Sequence, residues 1–300
     1  MTAPDDGSLT TFERPHGAAR PWRIHWPRRQ TAPLVFASPH SGRAYPPEFL
    51  ASSRLDVLKL RLSEDAYVDE VFAAAPEFGA PLLCARFPRA YVDVNREAFE
   101  LDPAMFADAL PDYVNTSSPR IAAGLGTIAR IVTDGEDIYH RPLRFEDARR
   151  RIDAMYRPYH AALSELLEAT KRRFGGCLLI DCHSMPSGVG GVNGGRRIDV
   201  VLGDCFGTTC AGGVTDTVQR ELQAMGFVVA RNSPYAGGYT TRHYGRPRHG
   251  IHALQIEINR AIYLDEARVE RGAGMAGLRR RIGRLVRALA AIDAGMLKAH

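Results

Sequence analysis

Short, unbroken apolar runs that stop abruptly at polar side chains constrain this chain more than any other feature. Pro33-Leu-Val-Phe-Ala-Ser halts at Pro39-His40-Ser41-Gly42, and Cys177-Leu-Leu-Ile halts at Asp181-Cys182-His183. His252-Ala-Leu-Gln-Ile-Glu-Ile-Asn carries a carboxylate in its middle. Runs of about four to eight residues of this kind read as strands covered on both faces. Pro81-Leu-Leu-Cys-Ala-Arg, Ala90-Tyr-Val-Asp-Val-Asn, Arg197 to Leu202 and Phe227-Val-Val-Ala are further strand candidates. Between them lie stretches of helical spacing: a broken one from about Arg54 to Phe72, the longest from Phe145 to Phe174, one from Thr215 to Met225, and a basic amphipathic tail from Asp265 to Leu297. Pro158 is positioned to kink the longest helix, and Gly175-Gly176 to end it. Strands alternating with helices predict one sheet with helices on both faces.

Residues 1–30 show no clear period and read as an arm lying on a single α/β domain of residues 31–300, which includes the C-terminal helix. Glu100 to Gly135 and Asn232 to Gly250 read as loops, the first lying over the active face. The net charge of +5 is spread along the chain without a dense basic stripe, which argues against nucleic acid and suits a small anionic substrate. No apolar run is long enough to cross a bilayer, and Met1 to about Pro15 is polar, so the cytoplasm is expected. The five cysteines are odd in number and lie largely in apolar runs, which predicts buried free thiols rather than disulfides or a cysteine-bound metal.

Ligands of open α/β sheets bind beyond the carboxyl ends of strands. His40 and His183 stand at two such ends. Hydrolytic zinc takes three His or carboxylate ligands and leaves a place for water, so a third ligand is required. Asp65 is the choice, with Glu64 second, in Ser63-Glu64-Asp65-Ala66. Asp181, two residues before His183, is on the same side of its strand and is either its partner or a plain strand-end aspartate. Glu257, flanked by isoleucines, is costly unless functional or paired; it is either a general base or the partner of Arg260. Asn95 and Arg96 can clamp a substrate carboxylate, unless Arg96 pairs with Glu97 or Glu100. Arg89 can stabilise an oxyanion. Tyr239, Thr241 and Arg242, in a glycine-bent segment, can reach a ligand.

Taken together, Ser38-Pro-His-Ser-Gly42, Asp93-Val-Asn-Arg96, Asp181-Cys-His-Ser-Met-Pro186, Gly237-Gly-Tyr-Thr-Thr-Arg-His-Tyr-Gly245 and Gln255-Ile-Glu-Ile-Asn259 resemble the N-formylglutamate amidohydrolase family over residues 33–266. That family is distantly similar to zinc carboxypeptidases and aspartoacylases. The resemblance implies a three-layer α/β/α fold around a central mixed sheet, of the phosphorylase/hydrolase-like kind. It implies one zinc ion, with His40 and His183 as ligands and Glu257 as the catalytic carboxylate. Asn95 and Arg96 would hold the substrate carboxylate. It also implies release of formate from N-formylglutamate; another N-acyl amino acid, a short peptide, or dicarboxylate binding without catalysis are the alternatives. One departure stands out. Carboxypeptidase-type sites place a glutamate three residues after the first histidine, and here that position is Arg43. The carboxylate ligand must come from elsewhere.

Overall fold

The computed structural model describes residues 20–132, 135–189, 191–193 and 195–299. Seven strands form the central sheet: β1 (Trp22–His25), β2 (Leu34–Ser38), β3 (Leu82–Ala85), β4 (Cys177–Met185), β5 (Val200–Gly203), β6 (Val229–Arg231) and β7 (Ile251–Asn259). Their order is β1-β3-β2-β4-β7-β5-β6. The four central strands β3, β2, β4 and β7 run parallel, while β1 and the β5–β6 pair are antiparallel to their inner neighbours. The sheet is therefore mixed, as the resemblance implied.

Period-two alternation sends the two faces of each strand to different cores. Leu34 and Phe36, Leu178, Ile180 and Cys182, and Leu254, Ile256 and Ile258 pack on one face, under α3 (Val68–Val71), α7 (Gly212–Ala224) and α9 (Met275–Ala290). Val35, Ala37, Leu179 and Ala253 pack on the other, under α1 (Pro47–Ser52), α2 (Val57–Arg61), α5 (Phe145–Arg151) and α6 (Arg157–Phe174). Each fully buried aliphatic side chain contributes roughly 1.5–3 kcal/mol, and the result is a three-layer sandwich. On the second face the strands turn polar toward their carboxyl ends. Asp181 and His183 follow Leu179, and Gln255 and Glu257 follow Ala253. The position of the site is set by that change.

Four expectations are corrected. First, Trp22–His25 is not a loose arm but the antiparallel edge strand on β3, with Trp22 and Ile24 turned toward the core and Arg23 and His25 exposed. Second, residues 90–95 are a buried turn rather than a strand. The Asp93 carboxylate accepts from Asn95 N–H at 2.8 Å, and Asp93 N–H donates to Thr127 O, so no ladder forms. Third, the stretch from 145 to 174 is not one regular α-helix; just before Pro158 it widens into a π turn over Ile152–Tyr156. Proline has no N–H to offer the previous turn, and the widened turn accommodates that loss. Gly175, at φ 81°, ends the helix as expected. Fourth, the segment 232–250 contains a helix, α8 (Tyr239–Tyr244), on which Tyr239 stacks on His243 one turn later.

No helix of the described residues is long and apolar enough to cross a membrane. All five cysteines are free thiols, four of them buried.

Candidate metal and catalytic site

His40 follows β2, and the chain behind it is fixed by two backbone constraints. Asp65 N–H donates to the His40 carbonyl at 3.1 Å, which ties the two segments together. Gly42 lies so close to Phe87 that a Cβ would sit 2.1 Å from its carbonyl oxygen, so only glycine fits there. His183 projects from β4, directly across the parallel ladder from Glu257 on β7.

His40, Asp65 and His183 converge, each offering one ligand atom, with these atoms within 4.8 Å of one another. Asp65 Oδ2 lies 2.8 Å from His183 Nδ1 and 3.3 Å from His40 Nδ1. The remote ring nitrogens are turned to carboxylates: His40 Nε2 is 2.8 Å from Asp93 Oδ1, and His183 Nε2 is 3.1 Å from Asp181 Oδ2. Holding Nε2–H on Asp93 leaves the lone pair of the His40 ring on Nδ1, facing inward. His40 Nδ1 is buried and makes no hydrogen bond, a costly orphan in a folded protein. An orphaned imidazole nitrogen beside a second imidazole and a carboxylate fits a divalent cation, and these three residues can hold one.

Asp65 is steadied by Arg260, whose Nη2 donates to Oδ1 at 3.1 Å. Burial alone would raise the Asp65 pKa, but the hydrogen bond from His183 and the nearby His40 imidazole hold it well below the usual carboxylate range. Burial works the same way at Asp93, where the charges of Arg96, His40 and Arg89 hold the carboxyl low. For His183, burial disfavours the cation, yet the Asp181 and Asp65 carboxylates raise its pKa well above the ordinary value. In the absence of a cation His183 holds a proton, and binding one would release it.

Glu257 makes no ion pair among the described residues, because Arg260 goes to Asp65 instead. Its Oε1 accepts from Gln255 Nε2 at 2.7 Å, and Gln255 Oε1 accepts from Gly238 N–H, also at 2.7 Å. Burial pushes Glu257 up to about 7; the Asp65 charge adds to this, and His183, Arg89 and Arg260 oppose it. A carboxylate so placed can take and return a proton near neutral pH.

Glu64 points away from the site. It is buried against the Tyr45 hydroxyl at 2.7 Å and Arg61, and takes no part in the cluster. Asn95 lies on the cavity wall, but its Oδ1 accepts from Thr240 N–H and its Nδ2 is 3.3 Å from His183 Nε2. Arg96 pairs with neither Glu97 nor Glu100. Its Nε donates to Leu125 O and its Nη1 to Asn95 O, with Asp93 at 3.7 Å. Arg89 also lines the cavity and donates to Asp93 at 2.7 Å. Arg242 is on the wall and exposed. Thr241 is fully buried, donating to Gly238 O, and Tyr239 faces His243; neither reaches the cavity wall. Their residue types suggested a ligand contact, but the helix they form turns them away. The sequence reading missed Asp93 as the support of His40, Gln255 as the support of Glu257, and Arg120 on the cavity wall. The spacing of Gln255 and Glu257, two apart on a strand, was a usable signal for one of them.

A family profile described as N-formylglutamate amidohydrolase matches residues 32–264. The chain belongs to the N-formylglutamate amidohydrolase family. It is 28% identical to a protein named N-formylglutamate deformylase from Pseudomonas aeruginosa, over 80% of this chain and 85% of that one. A protein of the same name from Pseudomonas putida is 26% identical over 78% of this chain and 82% of its own. The crystal structure of an N-formylglutamate amidohydrolase from Ralstonia eutropha superposes with a TM-score of 0.84 at 38% identity, covering 91% of this chain and 98% of that one.

His160 ties this amidohydrolase site to its scaffold. From α6 its Nε2 reaches Val94 O at 2.9 Å, and its Nδ1 meets the Tyr244 hydroxyl of α8 at 2.8 Å. Burial among tyrosines pushes its pKa down to about 4. The unfolded chain protonates near 6.5, so stability is intact above that pH and falls as the pH drops toward 4. The residue keeps some contact with solvent, so the lower part of the range applies: about 2 kcal/mol lost by pH 4. Urea unfolding at pH 7.5, 5.5 and 4.5 should show the loss in the wild type and a shallower one in His160→Gln; equal slopes would remove His160 as its source.

Proposed function

We propose that this chain is a zinc-dependent deformylase that hydrolyses N-formyl-L-glutamate to formate and L-glutamate. One observation carries the reading: His40, Asp65 and His183 converge at one wall of a cavity of about 570 Å³, and the unpaired Glu257 lines the same cavity from the neighbouring strand. Family membership supports the substrate.

A cation held by His40, Asp65 and His183, for which zinc suits the donor set, would supply Lewis-acid polarisation of the formyl carbonyl and acidify an attacking water. Glu257 takes the proton from that water as it adds to the formyl carbon. It then delivers the proton to the amide nitrogen as the C–N bond breaks. The buried wall limits competing solvent and keeps the Glu257 pKa high enough for both transfers. Arg89, at the edge of the cluster, stabilises the charge that develops on the carbonyl oxygen. Asn95 Oδ1 fixes the start of α8 through Thr240 N–H, and Arg96 fixes the wall against which the substrate lies. Arg242 offers its free nitrogens to a substrate carboxylate, and Tyr239 and Thr241 act by shaping α8.

Purified protein should contain close to one zinc per chain and release formate from N-formyl-L-glutamate faster than from N-acetyl-L-glutamate or N-formyl-L-aspartate. Full formate release after exhaustive chelation would overturn the metal assignment, and no formate from any N-formyl amino acid would overturn the function.

A further inference from the structure

Five arginines line the cavity, Arg89, Arg96, Arg120, Arg242 and Arg260, against three carboxylates, Asp65, Asp93 and Glu257. Most of that positive charge is already engaged. Arg89 and Arg260 are bound to Asp93 and Asp65, and Arg96 is spent on two backbone carbonyls beside Asp93. Arg242 donates once, to Gly237 O. Arg120 is different. Its guanidinium is exposed on the cavity wall and makes no hydrogen bond or ion pair among the described residues.

Although it is exposed, Arg120 is not on a free loop. It sits in the short helix α4 (Pro119–Ala122), capped by Ser118, whose hydroxyl also donates to Glu100. Leu125 N–H donates to the Arg120 carbonyl at 2.8 Å, and Arg96 Nε grips the Leu125 carbonyl at 2.9 Å. The buried arginine that the sequence offered as the carboxylate clamp thus holds the segment carrying the unspent one. Burial first, and then the nearby charges of Arg89 and Arg120, lower the Arg96 pKa against the opposing charges of Asp93 and Glu100.

We propose that Arg120 binds the side-chain carboxylate of the substrate and so sets the preference for an acidic over a neutral N-formyl amino acid. The proposal rests on the deformylase reading above. The formyl group must meet the buried cluster on one wall of the cavity, and the side-chain carboxylate is the substrate group farthest from it. That carboxylate therefore reaches the rim, where an unspent guanidinium can grip it with two parallel hydrogen bonds.

The test compares N-formyl-L-glutamate with its neutral isostere N-formyl-L-glutamine, for the wild type, Arg120→Gln, Arg120→Lys and Arg242→Gln. Arg120→Gln should lower kcat/KM for N-formylglutamate by roughly 30–100-fold, mainly through KM, and change N-formylglutamine less than about threefold. Arg120→Lys should fall between, since lysine keeps the charge without the fork. The thermal midpoint should not move, because the side chain is exposed. Equal losses on both substrates, no loss, or discrimination abolished instead by Arg242→Gln would overturn the proposal. Formate released by the wild type without regard to side-chain charge sinks the proposal alone; formate released from neither substrate sinks the deformylase reading and the proposal with it.

Discussion

Glu257→Gln should leave close to one metal ion per chain, an unchanged thermal midpoint, and kcat for N-formylglutamate lowered by roughly a thousandfold or more. The substitution is nearly isosteric. An amide oxygen at this position still accepts the 2.7 Å hydrogen bond from Gln255, so the strand and its neighbour Gly238 have no reason to shift. The three cluster residues are untouched, because Glu257 is not among them. What disappears is a group that can accept a proton from water and give it back to the leaving nitrogen. KM should change little, since neither task binds the ground state. Metal analysis, a melting curve and a formate assay on one preparation separate these effects. Retention of more than a tenth of wild-type kcat would show that Glu257 is not the proton carrier.

The fold and the site were legible in the sequence to different degrees, and the differences are physical. Fully buried parallel strands such as Leu34–Ser38 and Cys177–Met185 are written as apolar runs because both faces meet a core. Their ends are legible for the same reason: a His or Glu following such a run has no apolar surroundings left to justify it. Residues 90–95 mislead because they too are almost wholly buried, but under a loop. Burial marks the residue types there, while the Asx turn at Asp93, which decides the conformation, leaves no periodic trace. Trp22–His25 fails in the opposite sense, since an edge strand four residues long gives too few alternations to stand out from an irregular arm. Asn95 and Arg96 stand out in sequence only for what their side chains can do in isolation. Sequence cannot say whether a guanidinium is already spent, and that question separates Arg96 from Arg120.

Asp65 is the residue for which no motif position speaks, and its substitution is the strongest test of the metal centre. Asp65→Asn preserves shape and removes one negative charge from a point 2.8 Å from His183 Nδ1 and 3.3 Å from His40 Nδ1. Two neutral imidazoles and an amide are a poor set for a divalent cation, so affinity should fall on the order of 100-fold or more and dialysed protein should hold almost none. Turnover should fall with occupancy. The same change leaves the buried Arg260 guanidinium without its anion, which should cost about 3 kcal/mol beyond any effect of metal loss. The two costs separate by chelation. A cation bound at a thousand times its dissociation constant stabilises the wild type by about 4 kcal/mol, so a chelator should lower the wild-type melting temperature. The Asp65→Asn protein should start lower and not respond. Glu257→Gln should respond like the wild type, which distinguishes loss of the ion from loss of the base. If Asp65→Asn still retains one ion per chain through dialysis and turns over normally, the carboxylate ligand lies elsewhere, and the orphaned His40 Nδ1 needs another partner.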